Sequence, residues 1–317
     1  SAKVYLQISQ NAKEKTDLEI REIVINAYGN VLLARESVKV LESNKKSLEK
    51  TLFETQETFK NGLIEEENVE QLQITLSQIK SMLSNAKKGE TIALKMLKLV
   101  LGIDMQDNVT LKDNLDQLAS ENIVLSSISE FSVTNTIDYK IGRNNEEASR
   151  LLLKLEKSKA LPSLSAIANF GYNSFSNTFS FLERDQNWFN FSNIGVGLNV
   201  PIFSSLGRTA RTQQAKIAYE QAKTQLKETE QKLLLAFEKS KTDYEFSVEQ
   251  YVVSKENLRL AERIENKQQI KFKEGISSSF EFTEAQRQLY TAQQDHLQAM
   301  IEVISKKATL DKISNQK

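Results

Sequence analysis

Cysteine is absent from the 317-residue chain and histidine occurs once. Disulfides, thiolate metal sites and a cysteine nucleophile are thereby excluded, and so is a multi-histidine metal centre. Two prolines and ten glycines are well below the usual few per cent of each. A chain that avoids both helix breakers over such a length is mostly long helix. Surplus basic charge is lacking too. Lys plus Arg, at 42, balances Asp plus Glu, at 42, which argues against a general nucleic-acid binder. No run of 18 apolar residues is written, so a transmembrane helix is not expected. Ser1-Ala2-Lys3-Val4-Tyr5 lacks the basic and apolar regions of a secretory signal. No phosphate loop, metal cluster or nucleophile beside a histidine stands out. Catalytic residues, metal ligands and cofactors are therefore not assigned, and an enzyme is not expected.

The few breakers are informative by position. Pro162 and Pro201 lie 39 residues apart, and residues 162–207 hold four of the ten glycines and nine of the 24 aromatics. The period changes in this island. Ile194, Val196, Leu198, Val200 and Ile202 alternate with Asn193, Gly195, Gly197 and Asn199, which is a period-2 strand. Leu164, Ala166, Ala168, Phe170 and Tyr172 begin a second one. The polar stretch Glu183-Arg184-Asp185-Gln186-Asn187 separates them. The expectation is an antiparallel hairpin with strands over 164–181 and 188–203.

The remainder is written in heptads. Ile20, Val24, Ala27, Val31, Ala34, Val38 and Leu41 step by four and three, continued by Leu48, Leu52 and Phe59. After Gly62 the seam resumes through Val69, Leu72, Leu76, Ile79, Leu83, Ala86, Ala93, Leu97 and Val100. A helix of about 60 residues at 1.5 Å each would be about 90 Å long, a coiled-coil rod.

The pattern repeats. Phe59-Lys60-Asn61-Gly62-Leu63 matches Phe272-Lys273-Glu274-Gly275-Ile276 at an offset of 213, which also pairs Leu72 with Ala285, Gln73 with Gln286 and Leu76 with Leu289. Each copy reads as a long helix, a glycine-centred turn and a second long helix. Between the copies, residues 104–145 break the heptad; Asp104 to Asn108, Asn114, Ser120 to Asn122 and Asn135-Thr136 read as loop-like, with a short helix around 126–131 and another over roughly 144–160. The fold class is therefore mainly α: duplicated coiled-coil hairpins over 1–103 and 206–317, an intervening segment over 104–160, and a β-hairpin over 161–205. Ala2-Lys3 stands where Ala215-Lys216 stands in the second copy. The chain thus begins where a first strand pair would have ended, and upstream strands with a signal peptide are expected.

Leu161-Pro162-Ser163-Leu164-Ser165-Ala166, Phe170-Gly171-Tyr172 and Val196-Gly197-Leu198-Asn199-Val200-Pro201-Ile202-Phe203 resemble the strand region of the TolC-like outer-membrane efflux and secretion channels. So do Gly207-Arg208 and Tyr219-Glu220-Gln221-Ala222, while Phe272 to Ser279, Glu284-Ala285-Gln286 and Leu289-Tyr290 resemble that family's second hairpin tip. The resemblance spans nearly the whole chain. It implies a homotrimer in which helices form a periplasmic α-barrel, strands form an outer-membrane barrel in contact with lipid, and 104–145 contributes to a belt. Two strands per chain would give only half the barrel, so this chain alone is not expected to make a normal pore. The implied partners are a periplasmic adaptor (membrane fusion) protein and an inner-membrane transporter, proton-driven or of the ATP-binding-cassette type. The implied location is the outer membrane and periplasm of a Gram-negative bacterium, and the function is export of small molecules or proteins. The alternative is a soluble coiled-coil scaffold or tether.

The resemblance also implies sites. Glu281 and Glu284 correspond to acidic residues of a cation-selective constriction; spaced i and i+3, they share a helix face, and the plain alternative is a solvated surface. Phe59, Gly62, Leu63, Phe272, Gly275 and Ile276 correspond to tips that dock the adaptor, where glycine also serves simply to end a helix. Asn68 and Phe272 stand where ties that hold the entrance closed tend to sit. Glu65-Glu66-Glu67 suits a helix N-terminus through the dipole. Phe170, Tyr172, Trp188, Phe189 and Phe191 would suit an interfacial aromatic girdle. His296, on the seam, is read as packed or tunnel-facing.

Overall fold

The structure is a computed structural model that describes residues 2–123, 131–179 and 182–315. Its elements in chain order are α1 (Ala2–Lys60), α2 (Glu66–Leu101), α3 (Leu115–Glu121), a 3-10 turn (Val133–Asn135), α4 (Ile137–Ser158), β1 (Ser163–Asn173), β2 (Phe189–Asn199), α5 (Gly207–Lys273) and α6 (Ser279–Ser314). The four long helices run 59, 36, 67 and 36 residues. The absence of proline inside allows such lengths; Gly62, Gly102 and Gly275 end the first three, and Asn315 ends the fourth. Gly62 and Gly275 take φ of 73° and 71°, a left-handed conformation that costs glycine nothing. At each, the glycine N–H and the next residue's N–H return to the last turn. Gly62 donates to the Phe59 carbonyl and Leu63 to that of Thr58; Gly275 donates to that of Phe272 and Ile276 to that of Lys271. This is the Schellman arrangement, repeated in both halves of the duplication.

The chain divides into two compact units, one of Gln10–Lys140 with Thr229–Lys317, the other of Ser1–Ser9 with Ile141–Glu228. In the first, α1, α2 and α6 meet in an apolar cluster of Leu48, Leu52, Leu72, Leu76, Ile79 and Phe282. A second cluster joins α1, α3, α5 and α6 through Leu32, Leu115, Ala119, Phe237, Tyr244, Val303 and Ile304. The α5 seam is unusual in composition. Phe237, Ser240, Tyr244, Ser247, Tyr251 and Ser254 are all buried and step by three and four, alternating a ring with a small hydroxyl. Two of the serines donate back along their own helix, Ser247 to the Tyr244 carbonyl at 2.7 Å and Ser254 to the Tyr251 carbonyl at 2.9 Å.

The intervening segment is stitched to the helices by polar ties. Tyr28 Oη donates to Asp113 at 2.6 Å, Tyr244 Oη to the Asn122 carbonyl at 2.5 Å, and Lys98 Nζ to the Met105 carbonyl at 2.8 Å. Phe131 stacks on Phe237 with centroids 3.8 Å apart. Three sequence expectations are revised in these regions. Residues 115–121, where no helix was expected and of which 120–121 read as loop-like, form α3, whose N-terminus is capped by the Asn114 side chain accepting from Asp116 N–H. The helix expected from 144 begins at Ile137, after Thr136. The apolar seam of α1 is not buried at Ile20, which is 49% exposed, whereas Val31 and Leu48 are fully buried. The short helix expected around 126–131 lies, except for Phe131, outside the described residues.

In the second unit β1 and β2 pair antiparallel, with Ser163 opposite Asn199 and Asn173 opposite Phe189. The strands are shorter than the expected 164–181 and 188–203. Beyond Asn173 the run is rich in Ser, Asn and Thr, and Ser174 Oγ donates to the Asn187 carbonyl at 2.7 Å, so side chains take over from the ladder. Position 181, at the end of the first expected strand, lies outside the described residues. At the other end β2 stops before Pro201, which has no N–H to donate. Arg208 then grips the exit, donating to the Pro201 carbonyl at 2.9 Å and to Ser204 Oγ at 3.0 Å.

Two outcomes follow from the packing. Gly29 lets α1 approach α6 so closely that a Cβ would stand 2.3 Å from Ile301 Cδ1. Gly29→Val should cost about 1–3 kcal/mol by overpacking in denaturant unfolding, and adding Ile301→Ala should recover part of that loss. His296 is buried, with Nδ1 3.0 Å from Ser254 Oγ. Burial lowers its pKa, Asp116 opposes that shift, and Lys255 adds to it. A depressed folded-state value means that stability is complete above the unfolded histidine pKa of about 6.5 and is lost as pH falls below it. His296→Gln should flatten that acid-side decline in unfolding experiments between about pH 7 and 5.

Candidate functional site

The two glycine turns and the helix ends beside them form a polar and apolar tip within the larger unit. Leu63 and Ile276 are 74% and 69% exposed, and Phe59 is 38% exposed. Phe272 is different. Its ring stacks on buried Phe282, centroids 5.3 Å apart and nearly parallel, and packs against the apolar cluster. Of the six tip residues, the two that follow the glycines therefore present the apolar surface, and Phe272 supports it from within.

The ends are held together by polar contacts, of which sequence reading singled out only the Asn68 position. Lys273 Nζ pairs with Glu54 at 2.9 Å, joining α5 to α1. Asn68 Oδ1 accepts from Ser279 N–H at 3.3 Å, joining α2 to α6. Farther along, Asn44 Nδ2 donates to Gln293 Oε1 at 2.7 Å. Gln286 is almost completely buried. Burial pushes the Glu265 carboxyl up, which the Gln286 side chain opposes, and burial with the Glu265 charge also pushes the Tyr290 phenol up. Gln286 lies at the repeat equivalent of Gln73, so its position was legible although its burial was not.

Each acidic candidate is already engaged inside its own helix. Ser278 caps α6: its side chain accepts from Glu281 N–H at 3.2 Å, and its own N–H donates to Glu281 Oε2 at 2.9 Å. That is a capping box, S-x-x-E. Glu284 receives both arms of Arg287, at 2.8 and 2.6 Å, and Gln288 Nε2 at 3.3 Å. Arg287 holds the Glu284 carboxyl below the usual carboxylate range. Glu66 and Glu67 lie in the first turn of α2, and Glu65 is its N-cap, the dipole-favoured placement.

The aromatic candidates divide between two faces. Residues paired across strands share a face, so Leu164, Ala166, Ala168, Phe170 and Tyr172 line up with Leu198, Val196 and Ile194. Phe189 and Phe191 pair with Asn173 and Gly171 on the opposite face, among Gly195, Gly197 and Asn193. Phe191 lies over Gly171, where a Cβ would meet its ring at 2.8 Å, an aromatic covering a strand glycine. The register thus brings Phe170 and Tyr172 together on the apolar face and leaves Phe189 and Phe191 apart from them. Trp188 precedes β2 and is 45% exposed. Both faces of the hairpin are exposed, with Ile194, Val196 and Leu198 each at least 66% accessible.

Residues 142–316 match the family model for outer membrane efflux proteins. The chain belongs to that family. It is 23% identical over 211 residues to outer membrane protein TolC of Vibrio cholerae serotype O1, a match covering 67% of this chain and 48% of that protein. The efflux-family chain thus spans about half the length of that relative. Among solved structures, CusC superposes with a TM-score of 0.81 at 16% identity, over 99% of this chain and 72% of that one. The open-state MtrE outer membrane channel of Neisseria gonorrhoeae gives 0.78 at 15% identity, over 99% and 70%. The fold of the family, long helical hairpins with a β-hairpin, is therefore the fold of this chain. No helix among the described residues is long and apolar enough to cross a membrane.

The capping geometry separates two kinds of glutamate test. Ser278→Ala should lower thermal stability by about 1 kcal/mol. Glu281→Gln keeps an S-x-x-Q box and should stay within about 0.5 kcal/mol of wild type.

Proposed function

We propose that this efflux-family chain forms part of an outer-membrane exit duct. As a homotrimer it would provide the channel of a tripartite efflux pump or type I secretion system, carrying small molecules or proteins across the periplasm and outer membrane without chemistry of its own. Residues 1–103 and 206–317 build the tunnel wall, 104–160 the belt and 161–205 the barrel strands. Leu63 and Ile276, beside the two glycine turns, supply the apolar contact for a periplasmic adaptor. The inner-membrane transporter that the adaptor engages is proton-driven or of the ATP-binding-cassette type. Glu281 and Glu284 line the periplasmic constriction, where several carboxylates in a narrow ring raise cation occupancy.

The observation that carries this reading is the β-hairpin. An 11-residue strand paired with another of the same length has the length that crosses a bilayer when tilted. One face carries Leu164, Ala166, Ala168, Phe170, Tyr172, Ile194, Val196 and Leu198, with Asn190 and Ser192 at its loop end, and these side chains are exposed among the described residues. In lipid such a strand pair must join a closed barrel, because every backbone group has to be paired. A soluble tether would leave this row in water, where a two-stranded hairpin is marginal.

Reconstitution of the intact protein in planar bilayers tests the reading. The expected outcome is discrete conductance with a cation-biased reversal potential under a salt gradient. Glu281→Gln/Glu284→Gln should weaken both that bias and block by a trivalent cation. No conductance from correctly folded trimers would refute the duct, and unchanged selectivity in the double variant would remove the two glutamates from its constriction. Leu63→Asp/Ile276→Asp should abolish cross-linking to the adaptor and drug resistance in cells while leaving conductance intact.

A further inference from the structure

Near the start of α6 the charges do not add as the two glutamates alone suggest. Glu281 and Glu284 each contribute one negative charge, and Arg287 returns one positive charge through a two-armed contact at 2.8 and 2.6 Å. The nearest acidic group is thus neutralised at contact distance. An ion several ångströms away experiences the Glu284–Arg287 pair as a dipole, whose field falls off faster than that of a single charge. Glu281 is also not bare. Its carboxylate accepts the Ser278 N–H at the N-terminus of α6, where the helix dipole offers a partial positive charge.

The surroundings of Arg287 leave Glu284 as its partner. Arg287 borders one groove with Gln71, Thr75 and Gln78 of α2, and a second with Gln250 and Asn257 of α5. The other carboxylates along these grooves are Asp295 and Glu302, on α6 itself about two and four turns away, and the rest of the lining is amide, hydroxyl and apolar side chains. The pair is exposed, with side-chain accessibilities of 69% for Arg287 and 38% for Glu284. It therefore contributes little to stability, but its charges are available to whatever passes.

We propose that Arg287 is a specificity-determining residue: by pairing with Glu284 it reduces the constriction from two effective negative charges per protomer to one. The inference rests on the reading that Glu281 and Glu284 line the duct. It makes the native channel only weakly cation-selective and tolerant of anionic solutes that an unpaired double carboxylate ring would turn back. It also makes Arg287, with Glu284, the residue pair through which charge preference is tuned.

The test is reversal potential under a salt gradient for the intact channel in planar bilayers, with four variants. Arg287→Gln should raise the cation-to-anion permeability ratio about two- to threefold, because each protomer gains a net negative charge whose field reaches about a Debye length. Sensitivity to trivalent block should rise with it. Glu284→Gln should lower the ratio below wild type. Glu284→Gln/Arg287→Gln should return close to wild type, since removing a contact pair leaves the net charge unchanged. Arg287→Lys should match wild type, which separates the charge from the geometry of the fork. If Glu284→Gln lowers selectivity while Arg287→Gln leaves it unmoved, Arg287 has no influence on the duct and the inference fails, with the constriction reading intact. If neither variant nor Glu281→Gln moves the potential, the constriction reading fails and this inference with it.

Discussion

Everything in the larger unit depends on the chain reversing direction twice without losing hydrogen bonds. A long helix with a single apolar seam is marginal in water alone; it becomes stable when a second helix covers that seam. Gly62 and Gly275 make this possible by entering the left-handed region, so that the orphan carbonyls of the last turn are satisfied and the next helix starts within a few residues. The turn also sets the register. It places Phe282 over the cluster of Leu48, Leu72 and Ile79 and stacks Phe272 on Phe282. Because the two reversals share one cap geometry, the duplication seen in the sequence is also a duplication of backbone hydrogen bonds.

Much of this was legible from spacing. The glycine turns, the heptads of the first and second long helices and the alternation around Val196 are periodic signals, and each corresponds to an observed element. Other features were hidden because their residues are not apolar. The α5 seam alternates Phe or Tyr with Ser, so a search for apolar heptads passes over Ser240, Ser247 and Ser254, although each is buried. A small residue beside each ring makes the space that the ring fills, and a local back-bond keeps the hydroxyls of Ser247 and Ser254 paired. Helix α3 was missed for a related reason. Seven residues carry too little periodicity, and its start is signalled only by the Asn114 cap.

The candidate site shows a different limit. Sequence spacing placed Glu281 and Glu284 on one face but treated them as two equal anions. The structure gives them different tasks. Glu281 closes a cap whose donor is the backbone, and Glu284 holds an arginine one turn on. Both partnerships were readable, as S-x-x-E before an apolar run and as Glu and Arg at i, i+3. What sequence alone does not decide is which of several possible local partners a carboxylate takes. The same holds at Asn68, where the acceptor for a neighbouring helix end is an amide and the interhelical ion pair is instead made by Lys273 and Glu54.

The β-hairpin carries the last constraint. Its Leu, Ala and Val row and its glycines lie on opposite faces because the pleat has a period of two, so the register fixed by eleven residue pairs decides the face of every side chain at once. Phe170 and Tyr172 extend the apolar row toward the loop. Phe189 and Phe191 extend the other row, and Phe191 spends its ring on the bare backbone of Gly171. Aromatic composition alone would assign all of these to one belt; the pleat divides them. In a closed barrel the glycines opposite the apolar row would make room along the inner wall, and a ring folded over Gly171 would stiffen the strand where it leaves that wall. The same alternation that makes the apolar face therefore also determines which aromatics share it.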